Sequence, residues 1–128
     1  LGVRGFPGNS INHKNSIFIP NHSKKTFVEG EVDMVSGMGY KNKELSNGIF
    51  EIKRVVSNLG VFDFNGKNNC MQLLSLHPNV SVDDVIANTG FEIAIQSDSI
   101  TSMPSNEELV LIREVLDPQG IRNTIFGE

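Results

Sequence analysis

Short apolar runs bounded by glycine, proline and asparagine dominate the hydrophobic pattern of the chain. Each run is rich in Val, Ile, Leu, Met or Phe; the runs are residues 16–20, 53–57, 61–64 and 71–76. Runs of this length between turn-forming residues are typical of β-strands. The pattern therefore predicts four strands, and residues 32–36 are a further candidate.

Three segments outside these runs have the composition of turns and loops. Residues 5–15 contain two Gly, one Pro, three Asn and one Ser, which predicts a loop whose backbone tolerates positive φ. Asn65-Gly66 predicts a tight turn before the run at residues 71–76. Residues 41–48 are polar and predict an exposed connector.

A short helix is predicted after Ser81. Ser81 and Asp84 have the spacing of a capping box, with Asp in place of the usual Glu, and Asp83 and Asp84 suit the positive end of the helix dipole. We expect Gly90 to close the far end of this helix, and Asn88 and Thr89 to satisfy its last carbonyls.

A second helix is predicted after Ser105. Ser105 and Glu108 form a regular capping box, and apolar residues recur at spacings of three and four. Pro118 is expected to end this helix. Strands, connectors and helices in this mixture indicate an α/β or α+β class, and the pattern alone does not choose between the two.

Length and composition indicate one ordinary globular domain spanning residues 1–128, with 38% apolar and 20% charged residues. A single cysteine, Cys70, forms no internal disulfide; it is interpreted as a packing residue and fits a cytoplasmic protein. The net charge of −4 argues against nucleic-acid and membrane-surface binding. The three histidines lack metal-ligand spacing, so no metal site is predicted.

Five segments resemble the C-terminal half of a class I coenzyme A transferase β subunit: residues 3–10, 19–29, 55–64, 75–91 and 104–122. They include Gly-Phe-Pro-Gly-Asn-Ser, Pro-Asn-His-Ser and Asn-Thr-Gly-Phe. The resemblance is to the branch of the glutaconate CoA-transferase and steroid-ring hydrolase β subunits. It implies an α/β fold with an open, largely parallel sheet flanked by helices. It also implies an α subunit and the missing N-terminal half as partners, a homo-oligomer, and an acyl-CoA thioester as substrate, with no separate cofactor.

The resemblance also implies a substrate- or CoA-binding site. Gly5, Gly8, Asn9 and Ser10 align with the family's glycine-rich loop beside the thioester, where backbone amides stabilise an oxyanion. Asn9 and Ser10 stand where glycine is frequent, which favours the divergent hydrolase branch. From the residues alone, Gly-Phe-Pro-Gly is equally a plain turn.

His22 is the fifth candidate of this site, as a hydrogen-bond donor or proton carrier near the substrate. The alternative is a loop histidine bonded to backbone. Lys24 and Lys25 are candidates for contacts with a CoA phosphate, or else a solvated face. His77, before Pro78, is expected to organise the turn into the first capped helix.

No glutamate of the chain stands in the family's nucleophile context, so no catalytic residue is predicted and the chain alone is expected to be inactive. In the complete enzyme the resemblance implies CoA transfer between carboxylic acids through a glutamyl-CoA thioester. Two alternatives stay open. One is a hydrolase that opens a ring of a CoA-linked substrate, and the other is an inactive interaction module.

Overall fold

Five strands form one open, mixed sheet in the computed structural model, which describes residues 5–40 and 48–126. The strands lie side by side in chain order: β1 (Lys14–Ile19), β2 (Glu51–Ser57), β3 (Gly60–Asp63), β4 (Gln72–Leu76) and β5 (Ala94–Ile95). The β1–β2 and β4–β5 pairs are parallel, and the β2–β3 and β3–β4 pairs are antiparallel. The open sheet of the α/β prediction is confirmed, with its pairings divided evenly between the two directions.

Helices flank this sheet. They are α1 (Gly5–Asn12), α2 (Val82–Asn88), α3 (Asn106–Val110) with a π-helical continuation (Leu111–Leu116), and α4 (Ile121–Phe126). Both predicted capping boxes are present, because each serine side chain accepts from the third helical N–H and each acidic partner accepts from the cap N–H. Among the described residues, no helix is long and apolar enough to cross a membrane.

One cluster of buried apolar side chains joins the sheet to α2 and to the connection between β1 and β2. The cluster contains Phe27, Val55, Phe62, Met71, Leu73, Leu76, Val85 and Ile93. Phe62, Leu73 and Val85 are completely buried. Burial of this apolar area is the main favourable term for the fold, and α2 contributes to it through Val85.

The loop predicted for residues 5–15 is wrong over its first part, where α1 forms instead. Pro7 lies in the first turn, where a missing N–H breaks no intrahelical bond. The Ser10 hydroxyl donates to the Pro7 carbonyl at 2.9 Å, and the Asn12 amide donates to the Gly8 carbonyl at 2.9 Å. Ser10 is buried, so tertiary packing outweighs the weak helix propensity of the glycines.

The strand candidate at residues 32–36 is also wrong. Val32, Met34 and Val35 are exposed there, so the run has no apolar face packed against a neighbour. The connector predicted for residues 41–48 lies, apart from Gly48, outside the described residues. The chain between β3 and β4 is longer than a two-residue turn, and its positive φ angles belong to Asn68 and Asn69 rather than to Asn65-Gly66.

Two further expectations require correction. Gly90 does not close α2 in a left-handed conformation, because its φ is not positive and the helix ends on an extended Thr89. Cys70 is exposed rather than packed in the core. Two apolar residues of the predicted second helix lie outside the core, since Ile112 is 41% and Leu116 is 70% exposed.

Candidate functional site

A buried histidine links three elements of the fold. His22, which follows the end of β1, is only 3% exposed. Its Nδ1 lies 2.8 Å from the hydroxyl of Ser57 at the end of β2, and its Nε2 lies 3.0 Å from the hydroxyl of Thr89 at the end of α2. Its ring stacks on Phe27 with the ring centroids 3.8 Å apart. Both ring nitrogens are therefore occupied by protein partners.

The hydrogen-bond directions around His22 fix its neutral form. The Thr89 hydroxyl donates to the Val85 carbonyl at 2.7 Å, so its oxygen accepts from His22 Nε2–H. His22 Nδ1 then carries the lone pair and accepts from the Ser57 hydroxyl, whose oxygen in turn accepts from the Leu59 N–H at 3.1 Å. Burial lowers the pKa of the imidazole from 6.5 to about 4, which agrees with a neutral ring.

The predicted site residues at the start of the chain lie on α1. Gly5, Gly8 and Asn9 are exposed, whereas Ser10 is buried. The Asn9 carbonyl lies 3.3 Å from His13 Nδ1. Within the part of the chain that the structure describes, no hydrogen bond or ring contact joins His22 to residues 5–10. Their joint role in binding substrate or CoA stays a prediction.

A pocket of about 510 Å³ lies at the carboxyl ends of the parallel strands β1 and β2. Its wall is mainly apolar and is formed by Phe18, Ile19, Pro20, Val56, Ser57, Asn58 and His77. Ligands of open α/β sheets bind in the crevice outside the carboxyl ends of the strands, and this volume falls within the usual range of small-molecule sites. The pocket is therefore the strongest candidate site that the geometry offers.

Asn58 and His77 each make a hydrogen bond at the pocket wall that the sequence did not predict. Asn58 accepts the backbone N–H of His22 through Oδ1 at 2.8 Å, and His77 Nε2 donates to the Ser57 carbonyl at 2.9 Å. The expected role of His77 in the turn before α2 is confirmed, because its carbonyl accepts from the Val80 N–H at 3.2 Å. Neither pocket contact has a local sequence signal, since the partners come from different strands.

The remaining candidate residues are two lysines and the two polar residues at the end of α2. Lys24 and Lys25 are exposed. Thr89 and Asn88 do satisfy carbonyls of α2, those of Val85 and Asp84. Over residues 5–40 and 48–126, no three His, Cys, Asp or Glu side chains gather into a possible metal site.

Comparison with curated proteins finds two enzyme subunits that are similar to this chain. The chain is 48% identical over 127 residues to the IpdB subunit of the cholesterol ring-cleaving hydrolase of Rhodococcus jostii, covering 96% of this chain and 50% of that protein. It is 29% identical over 112 residues to the β subunit of glutaconate CoA-transferase of Acidaminococcus fermentans, covering 83% and 42%. No protein-family model matches the chain.

Solved structures agree with these relatives. The crystal structure of R. jostii IpdAB superposes with a TM-score of 0.89 at 46% identity, covering 97% of this chain and 51% of that one. Glutaconate CoA-transferase of A. fermentans superposes with a TM-score of 0.79 at 24% identity, covering 98% and 48%, and shares the fold.

These similarities define the class of protein. The chain belongs to the class I CoA-transferase family of β subunits, in the branch that contains the ring-cleaving hydrolase subunits. It spans about half the length of the curated relatives it matches.

Proposed function

We propose that the complete protein containing this chain is the β subunit of a two-subunit enzyme that opens a ring of a CoA-linked substrate by hydrolysis. The observation that carries the proposal is the 48% identity to a ring-cleaving hydrolase subunit over 96% of the chain. The corresponding identity to the glutaconate CoA-transferase subunit is 29% over 83% of the chain. The higher identity thus favours hydrolysis over CoA transfer. It also favours a substrate with fused alicyclic rings over a small dicarboxylic acid.

The residues support the same preference. The resemblance places the thioester-forming glutamate of the transferases in the N-terminal half of the β subunit, whereas this chain matches the C-terminal half, so its glutamates do not decide between transfer and hydrolysis. The segment Gly-Phe-Pro-Gly-Asn-Ser, with Asn9 and Ser10 where glycine is frequent in the family, is closer to the hydrolase branch. CoA transfer by the complete protein is the second candidate function, and an inactive interaction module is the third.

An isotope experiment distinguishes the three candidates. Hydrolysis adds the elements of water across the broken ring bond, so one oxygen from ¹⁸O-labelled water enters the new carboxylate while CoA stays attached. Transfer moves CoA to an added carboxylic acid and leaves every ring intact. We expect the complete protein with its α subunit to produce the labelled, ring-opened thioester. Formation of a new acyl-CoA from the added acid, or no reaction at all, would reject the hydrolase function.

The C-terminal helical segment supports the need for partners. Val110, Leu111, Val115 and Leu116 are between 49% and 70% exposed, and contiguous apolar surface of this kind marks interaction sites. We propose that this surface is buried in the assembled enzyme against the α subunit. Leu111→Glu should abolish co-purification with the α subunit. Ile86→Glu is the matched control, because Ile86 is 52% exposed on α2. Equal pairing of both variants would reject this interface.

Gly5, Gly8, Asn9, Ser10 and His22 remain our proposed contacts to the substrate or CoA. Gly8 offers a sharp test, because a Cβ added there meets no heavy atom within 4 Å. The Cβ of Gly8→Val therefore has open space outside its own helix, and a loss of turnover by about 10² would indicate an obstructed ligand. Normal turnover in Gly8→Val would remove the glycine segment from the site.

A further inference from the structure

The connection between β1 and β2 contains an exposed segment, residues 28–36, which we call the arm. Val32, Met34 and Val35 are 49%, 62% and 75% exposed there. Within the part of the chain that the structure describes, no hydrogen bond involves the arm. Neighbouring apolar side chains that face solvent mark a surface for interaction with another molecule. The arm therefore has apolar surface that the described residues leave uncovered.

Both ends of the arm are anchored to the rest of the fold. Before the arm, Phe27 is buried in the core, and its carbonyl accepts from the Gly90 N–H at 2.8 Å. After the arm, the Tyr40 hydroxyl accepts from the Ile52 N–H at 2.9 Å. A segment held at both ends loses less conformational freedom on binding than a free one, so a partner can cover the arm at a lower entropic cost.

Two groups of exposed charges lie in the same connection. One group belongs to the turn at residues 23–26, which we call the lysine turn, and the other belongs to the arm. The exposed side chains are Lys24 and Lys25 in the turn, and Glu29, Glu31 and Asp33 in the arm. Among the described residues, none of these side chains takes part in an ion pair. The basic group and the acidic group are thus both available to a partner.

A second copy of the chain supplies the matching charges. When two copies meet around a two-fold axis, every contact occurs twice, with the roles of the copies exchanged. Contact between the two arms would place carboxylates opposite carboxylates, which is unfavourable. Contact between the arm of one copy and the lysine turn of the other instead joins opposite charges, and it covers the apolar side chains of the arm.

We propose that the connection between β1 and β2 is an interface between two copies of the chain, in which the arm of each copy packs against the lysine turn of the other. Burial of the apolar side chains of the arm supplies the affinity, and the charges fix the relative orientation of the two copies. The inference rests on the exposed apolar side chains and on the charge complementarity, and it does not depend on the proposed function.

Charge reversal followed by mixing tests the reciprocal contact. Lys24→Glu with Lys25→Glu makes the turn and the arm both negative, and Glu29→Lys with Glu31→Lys makes both positive in net charge. The assay is sedimentation of the complete protein with its α subunit. We expect particles with two β chains for the wild type and with one β chain for each double variant alone. Mixing the two double variants should restore particles with two β chains, because both contacts then join opposite charges.

Matched controls locate the effect in the connection. Lys67→Glu and Glu92→Lys reverse the same kinds of charge at exposed positions outside it, so neither should change the number of β chains per particle. Val35→Ser should raise the dissociation constant of the wild-type particle about 10-fold, because it removes apolar surface that the interface buries. Higher salt should weaken the association further, since it screens the charges.

Four results would overturn the proposal. They are wild-type particles with a single β chain, a double variant that keeps the wild-type mass, a mixture that does not regain two β chains, and a control that loses them. Recovery on mixing also excludes misfolding as the cause of dissociation, because a misfolded chain would not recover. Since the assay measures mass and not turnover, failure of the ring-opening reaction would reject the proposed function and leave the interface standing.

Discussion

Acidification should destabilise the protein through His22 before it affects the carboxylates. Burial lowers the pKa of the folded imidazole to about 4 from the ordinary 6.5 of an exposed histidine. In the pH range between these values, the unfolded chain binds a proton that the folded chain does not. The stability from the neutral, buried ring is therefore fully present above pH 6.5 and is lost as the pH falls towards about 4.

The size of this effect follows from the separation of the two pKa values. They differ by about 2.5 pH units, and each unit corresponds to about 1.4 kcal/mol, so the loss amounts to about 3 kcal/mol. Small domains have unfolding free energies of about 5–15 kcal/mol, so the loss is a large fraction of the total.

Urea unfolding at a series of pH values measures this loss. We expect the wild-type unfolding free energy to fall between about pH 6.5 and 4.5, whereas His22→Gln, which does not titrate, should stay level by comparison. Carboxylates act at lower pH. Hydrogen bonds from the Ser81 side chain lower the pKa of Asp84, and the bond from the Ser105 N–H lowers that of Glu108. Their contributions are lost only as the pH falls through these lowered values.

A direct NMR titration provides the decisive control. The His22 ring C–H resonance should have the chemical shift of a neutral imidazole at pH 6, and its titration midpoint should lie near pH 4. A midpoint near the ordinary histidine value would show that the ring is solvated. Parallel curves of unfolding free energy against pH for the wild type and His22→Gln would show the same.

Three further predictions test packing and accessibility. Gly90→Ala should lower the unfolding free energy by about 2 kcal/mol, because its Cβ would lie 2.5 Å from a backbone carbonyl oxygen. In Gly8→Ala the added Cβ has open space, so this control should not destabilise the protein. Equal melting temperatures of the two variants would contradict the prediction. Thr89→Val should lower the unfolding free energy by about 1–3 kcal/mol, because it removes the acceptor of the buried imidazole, whereas Thr89→Ser should retain most of the wild-type stability. Equal losses in urea unfolding would show that the hydroxyl is unimportant. Cys70 should react with a thiol reagent in the folded protein, and labelling only after unfolding would contradict its exposure.

Local signals predicted much of the fold. Each of the four apolar runs overlaps an observed strand, because nearby Gly, Pro and Asn residues limit the extent of each strand. Both helix starts follow Ser81 and Ser105, since a capping box involves residues only three positions apart. These features depend on neighbours in sequence, which a single sequence displays directly.

Features that depend on distant residues were not predictable in this way. Ser57 and Thr89 contact His22 from 35 and 67 positions away, and no residue pattern marks that contact. Helix α1 forms where composition favoured a loop, despite its two glycines, and the Ser10 and Asn12 side chains donate to carbonyls of that helix. Residues 32–36 show the opposite case, in which an apolar run without a packing partner forms no strand.

The arrangement around His22 also determines how activity data on that residue must be interpreted. Its ring occupies the Ser57 hydroxyl, so removal of the imidazole disturbs one residue of the pocket wall, whereas the bond to Asn58 comes from the backbone N–H and is kept. A fall in turnover in His22→Ala is therefore expected from positioning alone. Thr89→Val disturbs the same ring from its other nitrogen, and Thr89 does not line the pocket. Similar losses of turnover in both variants would identify His22 as a positioning residue, whereas a much larger loss in His22→Ala would place the imidazole in contact with the substrate.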